Sequence, residues 1–313
     1  MKILVYGAGV MGSYLASELY NAKHQVTVLA RGNRFNFLKD NGIVINHIIQ
    51  KKKTVSKISI TNEYKKNDVY DAVIVAMRRN HIDSILTSLT SNNKCPLYIF
   101  IGNNSKIEDV YENFVENSTN SPEVLFGFAK ACGKIENDIV ESVHENITEI
   151  AIGDPLSLDI YWQDEVDKIF KDINFKISYR EDIDSWLKHH IAMMSPMTTA
   201  LQWADGDIKK FTGSTKLLDT TIEAVKEGFL VLKDLGYALE PALTVRLSNI
   251  LPKILLRMYF KKLALDNLLE LKMYNHTRVA AEEMNILTDE FKVIKENSKI
   301  KTPALDQLYS YRS

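Results

Sequence analysis

The hexapeptide Gly7-Ala8-Gly9-Val10-Met11-Gly12 stands between the apolar run Ile3–Tyr6 and the helix-length segment Ser13–Asn21. No other feature constrains the chain as strongly. A strand that turns tightly into a helix needs a first glycine for the turn. A second glycine lets a phosphate approach the backbone, and a third lets the helix pack closely on the strand. The helix amino terminus adds unpaired N–H groups and a partial positive charge, which suit the pyrophosphate of a dinucleotide. Gly7, Ala8, Gly9, Val10, Met11 and Gly12 are therefore the expected phosphate cradle.

Apolar, β-branched runs recur at Val26–Leu29, Ala72–Ala76, Leu97–Ile101 and Val124–Phe128, separated by segments long enough for helices. Continuous apolar strands imply a sheet covered on both faces, so the amino-terminal part reads as an α/β, Rossmann-type, doubly wound parallel sheet. Leu15, Leu19 and Tyr20 are available for the buried face of its first helix. Asp138–Gly153 alternates more strictly and reads as antiparallel strands or an edge addition. The run Lys51–Lys53 reads as a solvated loop. From about Asp182 the period becomes helical, with Leu217, Leu218, Thr221, Ile222, Val225, Phe229 and Leu232 three or four apart and Gly236 as a stop. Leu247–Phe260, with Pro252 as a start or kink, and Val279–Glu296 continue the pattern. The expected organisation is a dinucleotide-binding domain over residues 1–180 and an all-α domain for substrate and dimerisation over 181–313. A chain of 313 residues suits two domains.

Lys and Arg number 39 against 40 Asp and Glu, a net charge of -1. Such a balance gives no global reason to seek nucleic acid or an anionic membrane. No apolar run approaches the ~18–20 residues of a membrane span, and the amino terminus lacks the apolar stretch of a signal peptide. A cytoplasmic protein with a small-molecule substrate is expected, without metal. Cys95 and Cys132 read as free thiols in the core.

The second strand ends Val28-Leu29-Ala30-Arg31-Gly32-Asn33-Arg34. A carboxylate at this place would accept from a ribose 2′-hydroxyl but repel a 2′-phosphate. Arg31, helped by Arg34, can instead pair with a 2′-phosphate through charge-assisted hydrogen bonds, so NADP(H) is the expected cofactor.

Three further segments complete a resemblance to the ketopantoate reductase family that spans nearly the whole chain. Leu97-Tyr98-Ile99-Phe100-Ile101-Gly102-Asn103-Asn104 is similar to the family's strand ending in Gln-Asn-Gly, with Asn103 at the asparagine near the nicotinamide. Trp186-Leu187-Lys188 resembles its Trp-x-Lys, which implies Lys188 as general acid. His276-Thr277-Arg278-Val279-Ala280-Ala281-Glu282-Glu283-Met284 resembles its Pro-Thr-Glu-Ile-Asp segment, which implies Glu283 as the active-site glutamate, with Glu282 the adjacent alternative. Arg78 stands where the family has a lysine beside the cofactor phosphates, and Arg31 where it binds the 2′-phosphate.

The departures fall on the substrate side. Asn104 replaces the glycine after Asn103. Ala192 stands four residues after Lys188 where the family has an asparagine, and Ser195-Pro196 lies near the place of a second. The family's serine upstream of the glutamate has no clear counterpart, although His276 lies nearby. Met193, Met194 and Met197 suggest a more apolar, adaptable pocket. The resemblance implies an NADPH-dependent reductase of a small 2-oxo acid or related carbonyl compound, bound in a cleft between the two domains; the apolar surface of the helical half would serve either a homodimer interface or only the core. Two other readings stay open: a non-catalytic NADP(H)-binding or sensor protein, and an opine or hydroxyacid-type dehydrogenase using His189, His190 or His276.

Overall fold

Five strands form where the apolar runs place them, because each run has both faces covered. The computed structural model describes residues 1–156, 162–242, 251–263 and 280–312, which fall into two compact units, Met1–Ile183 and Asp184–Ser313. In chain order the first contains β1 (Lys2–Tyr6), α1 (Val10–Asn21), β2 (Gln25–Leu29), α2 (Gly32–Asn41), β3 (Ile43–His47), β4 (Lys52–Ser56), β5 (Ser59–Thr61), β6 (Ala72–Val75) and α3 (Arg79–Thr90). It continues with β7 (Leu97–Ile101), α4 (Ile107–Asn117), β8 (Glu123–Ala129), β9 (Cys132–Glu136), β10 (Ile139–Val143), β11 (Thr148–Gly153), α5 (Gln163–Phe170) and β12 (Phe175–Tyr179).

The main sheet has eight strands in the order β12-β11-β8-β7-β6-β1-β2-β5. Its six strands from β8 to β5 are mutually parallel, with Ile3 opposite Val26 on one side of β1 and Ala72 on the other. β11 joins antiparallel to β8, as the strict alternation of Asp138–Gly153 leads one to expect of an edge addition, and β12 runs parallel to β11.

A second, four-stranded sheet, β4-β3-β10-β9, lies outside the sequence-based expectation. α1 touches β1 and β2 and also β3, β9 and β10, so it is sandwiched between two sheets. A helix covered on both sides buries small and polar side chains as well as apolar ones, and Ser13, Ser17 and Glu18 are all buried. Tyr20, expected on the buried face, is instead 40% exposed. Lys52 and Lys53, expected in a loop, open β4 as exposed strand residues. Cys95 and Cys132 are free, Cys95 buried and Cys132 partly so.

The second unit consists of α6 (Ile183–Trp203, which begins at the last residue of the first unit), α7 (Ile208–Gly213), α8 (Thr215–Asp234), α9 (Lys253–Leu263), α10 (Ala281–Glu296) and α11 (Pro303–Tyr309). Ser214 caps α8 by accepting from the Leu217 N–H, and Gly236 follows the helix at φ +89°, a left-handed stop that glycine adopts without strain. Pro252 directly precedes α9. The segment Leu247–Ile250 of the expected helix lies outside the described residues, as does Val279.

The core of this unit gathers Leu218, Ile222, Phe229 and Leu232 of α8 with Ile191, Leu201, Met284, Leu287 and Phe291. Within α6, Pro196 has no N–H to give the Ala192 carbonyl. Gly228 of α8 approaches there so closely that a Cβ on it would lie 3.2 Å from that oxygen and 3.3 Å from the Ala192 Cβ.

Candidate active site

The glycine loop is shaped by contacts at two of its three glycines and by open space at the third. Gly7 lies at φ +116°, and a Cβ there would come within 2.6 Å of the Ala76 carbonyl oxygen. A Cβ on Gly12 would sit 2.0 Å from the Gly7 carbonyl oxygen, so only glycine lets α1 start this close to β1. A Cβ on Gly9 would meet no atom within 4 Å. Gly9 is the N-cap of α1, no side chain caps the helix, and its first turn carries no acidic residue. The N–H groups of this terminus and its dipole therefore favour an anion.

Arg31 follows β2 as the exposed N-cap of α2, and its guanidinium donates to the Tyr6 hydroxyl at 2.7 Å. Arg34, expected to help it, is committed elsewhere. Its Nε donates to the Ala8 carbonyl at 3.2 Å, its Nη2 to Ser13 Oγ at 3.3 Å and its Nη1 to the Asp138 carbonyl, with the Asp138 carboxylate at 3.6 Å. Burial pushes its guanidinium down while Asp138 opposes that shift. Arg34 thus straps the glycine loop to the β9–β10 turn, which corrects its expected role as a phosphate ligand.

Arg78 is the exposed N-cap of α3, while its neighbour Arg79 turns inward and pairs with Asp83 at 2.9 Å. Asn103 follows β7 and is buried, as are Asn104 and Ser105. Asn104 Oδ1 accepts from the Lys106 N–H at 2.9 Å, so the residue that departs from the family's glycine closes its own turn.

In the helical unit, Lys188 and Asp184 are both buried on α6, one turn apart, and their side chains form an ion pair. The Lys188 ammonium also lies 4.7 Å from the Tyr237 ring centroid, within cation–π range. The sequence reading missed Asp184. Its position four residues before a buried lysine was the available signal, because residues so spaced share a helix face. Ala192 and Ser195 continue that face, but neither opens a polar pocket. Ala192 is wholly buried at the Gly228 crossing. Ser195 Oγ donates to Thr288 Oγ1 at 2.9 Å and lies 2.8 Å from the Tyr309 hydroxyl, which ties α6 to α10 and α11.

Glu283 and Glu282 both lie in the first turn of α10, where a carboxylate suits the helix dipole. Glu283 is buried, at 6% exposure, and Glu282 is exposed. Among the described residues, Lys188 pairs with Asp184.

The histidines considered for an opine-type mechanism are engaged in packing. His189 is buried with Nδ1 2.8 Å from the Ser185 carbonyl and its ring against Phe229, and His190 stacks on Trp186. His276 lies outside the described residues. Met193 and Met197 line an apolar cavity with α8 and α9 and do not share the Lys188 face. Among the described residues there is no cluster suited to a metal ion and no helix long and apolar enough to cross a membrane.

Residues 3–156 match the family model described as Ketopantoate reductase PanE/ApbA. Compared with curated proteins, the sequence matches none significantly. Solved structures similar to the chain include a protein of Ralstonia solanacearum MolK2 described as a ketopantoate reductase, with 14% identity, a TM-score of 0.77, and 99% of this chain and 96% of that one covered. D-mandelate dehydrogenase, solved with NADH and anilino(oxo)acetate, is similar at 16% identity and TM-score 0.76, over 99% and 96% of the two chains. The dimeric ketopantoate reductase of Staphylococcus aureus is similar at 13% identity and TM-score 0.68, over 99% and 97%. Residues 3–156 are therefore similar to the ketopantoate reductase family, and the chain as a whole shares the fold of the solved structures so described.

Proposed function

We propose that the protein is an NADPH-dependent reductase of a small 2-oxo acid or related carbonyl compound. The observation that carries this reading is the open space over Gly9 at an uncapped helix amino terminus, beside an exposed Arg31. These residues fit a nicotinamide dinucleotide with a 2′-phosphate: the α1 terminus would hold the pyrophosphate and Arg31 the 2′-phosphate, with Arg78 as a further cation. Asn103 would orient the substrate.

When bound, the nicotinamide supplies a hydride to the carbonyl carbon. As negative charge grows on the carbonyl oxygen, the Lys188 Nζ would stabilise it and deliver the proton, while Glu283 would accept from a substrate hydroxyl. Asp184 holds the ammonium on its helix face, and removal of either partner would leave an uncompensated buried charge.

The likeness to D-mandelate dehydrogenase and the buried Ala192 favour a 2-oxo acid with a bulkier, less hydroxylated substituent than that of ketopantoate. The helical unit would also carry the contact of a homodimer, for which Ile254 and Met258 of α9, both 61% exposed, offer apolar area. The reading is tested by following NADPH absorbance against a panel of 2-oxo acids with aliphatic, aromatic and hydroxylated side chains. Turnover of at least one with NADPH preferred over NADH is the expected result; NADPH binding without turnover of any would instead favour a sensor.

A further inference from the structure

α6 carries two stripes. Asp184, Lys188, Ala192 and Ser195 form one; Met193 and Met197 fall about 140° and 180° round the helix from Lys188, at 3.6 residues per turn. The second stripe forms one wall of a cavity of about 460 Å³ closed by α8 and α9, with Val225, Phe229, Leu256 and Phe260 among its lining. Its size lies in the range of small-molecule sites. An apolar cavity this large is a poor host for water and a good one for an apolar ligand, and methionines let the walls adapt.

Among the described residues, one charged residue lines the cavity, Lys226 of α8. The pairing between α8 and α9 makes it stand out. Asp219 binds Arg257 through two hydrogen bonds, and Glu223 pairs with Lys253 at 2.8 Å. Lys226 is the next charge on this face, three residues on. Among the described residues it has neither an ion pair nor a hydrogen bond. A cation without a counter-ion at the edge of an apolar cavity is complementary to an anion that carries an apolar chain.

We propose that this cavity binds one linear alkyl carboxylate, with the chain among Met193, Met197 and Phe229 and the carboxylate on Lys226. The site is separate from the reductase residues and does not depend on that activity.

The test is calorimetric titration of the full-length protein with hexanoate, octanoate, decanoate and 1-octanol, with NADPH binding measured in parallel. One equivalent of octanoate should bind, about fourfold more tightly for each added methylene until the cavity is filled. Lys226→Gln should weaken octanoate about tenfold and leave octanol and NADPH unchanged. Leu255→Glu, at an exposed lining position that tolerates a polar residue, should repel octanoate more strongly. Three outcomes would overturn the proposal: no saturable binding, uptake of several equivalents as by a detergent, or equal losses of octanoate and octanol in Lys226→Gln. A dimer that Leu255→Glu dissociates and octanoate does not perturb would also overturn it, by assigning the cavity to a subunit contact.

Discussion

Asp184 and Lys188 form a buried ion pair across one turn of α6, beneath the ring of Tyr237. A buried ammonium is tolerated when it is paired, and here the partner comes from its own helix, so the charge is held before any substrate arrives. Lys188→Met should lower kcat by roughly 10²–10⁴-fold and leave NADPH binding nearly unchanged, as expected of a general acid. Turnover within a few-fold of the parent would make Lys188 a structural residue. Asp184→Asn should cost about 3–5 kcal/mol in a urea denaturation, since it strands a buried cation.

Arg31 is exposed and its contact to Tyr6 leaves it beside the glycine loop. A charge-assisted hydrogen bond contributes roughly 1.5–3 kcal/mol, so Arg31→Ala should weaken NADPH about ten- to a hundredfold and NADH little. Fluorescence titration with both cofactors checks this, and equal losses would refute the 2′-phosphate assignment.

Ala192 fills a helix crossing against Gly228, where the family's asparagine would have no room. Ala192→Asn should therefore destabilise the protein by roughly 1–3 kcal/mol through overpacking, measured by chemical denaturation, and should not create a ketopantoate reductase. Without that amide, a ketopantoate oxygen would give up water and regain no bond. This costs roughly 1–3 kcal/mol, or about five- to 150-fold in kcat/KM relative to a less hydroxylated 2-oxo acid. Ketopantoate reduced at about 10⁴–10⁸ M⁻¹s⁻¹, the range of enzymes on their own substrates, would show that other residues replace the amide.

His47 and His144 are buried together behind α1, with Nδ1 of the first 2.8 Å from Nε2 of the second and the Tyr14 ring stacked on His144. Burial, then the charges of His144 and Lys52, push His47 from 6.5 down to about 4, and burial pushes His144 down as well. Below pH 6.5 the unfolded chain takes up protons that the folded chain refuses, so stability should fall as pH drops from about 6.5 toward 4. The full loss for His47 is at most about 3 kcal/mol. Urea midpoints at pH 7.5, 6 and 5 should decline, and His47→Gln should flatten the decline; an unchanged slope in that variant would assign it to other groups.

Local geometry made much of the fold legible. A turn at φ +116° at Gly7, and a Gly12 whose added Cβ would sit 2.0 Å from the Gly7 carbonyl oxygen, both demand glycine, so the motif declared the β1–α1 junction on its own. Doubly covered strands such as β6 and β7 betrayed themselves as unbroken apolar runs, and the helical half did so by its period. What the tertiary structure decided were partnerships across long stretches of chain, which no period encodes. Arg34 is 104 residues from Asp138, and that contact turns it from a phosphate ligand into a strap. His47 meets His144 97 residues away because a second sheet covers α1, which also makes the helix bury its polar side chains. Glu283 rather than Glu282 is buried because of the helix phase at which α10 packs, and Ala192 belongs to a crossing because Gly228 lets α8 approach. Each of these follows from excluded volume and desolvation between elements, forces that act only once the elements have been brought together.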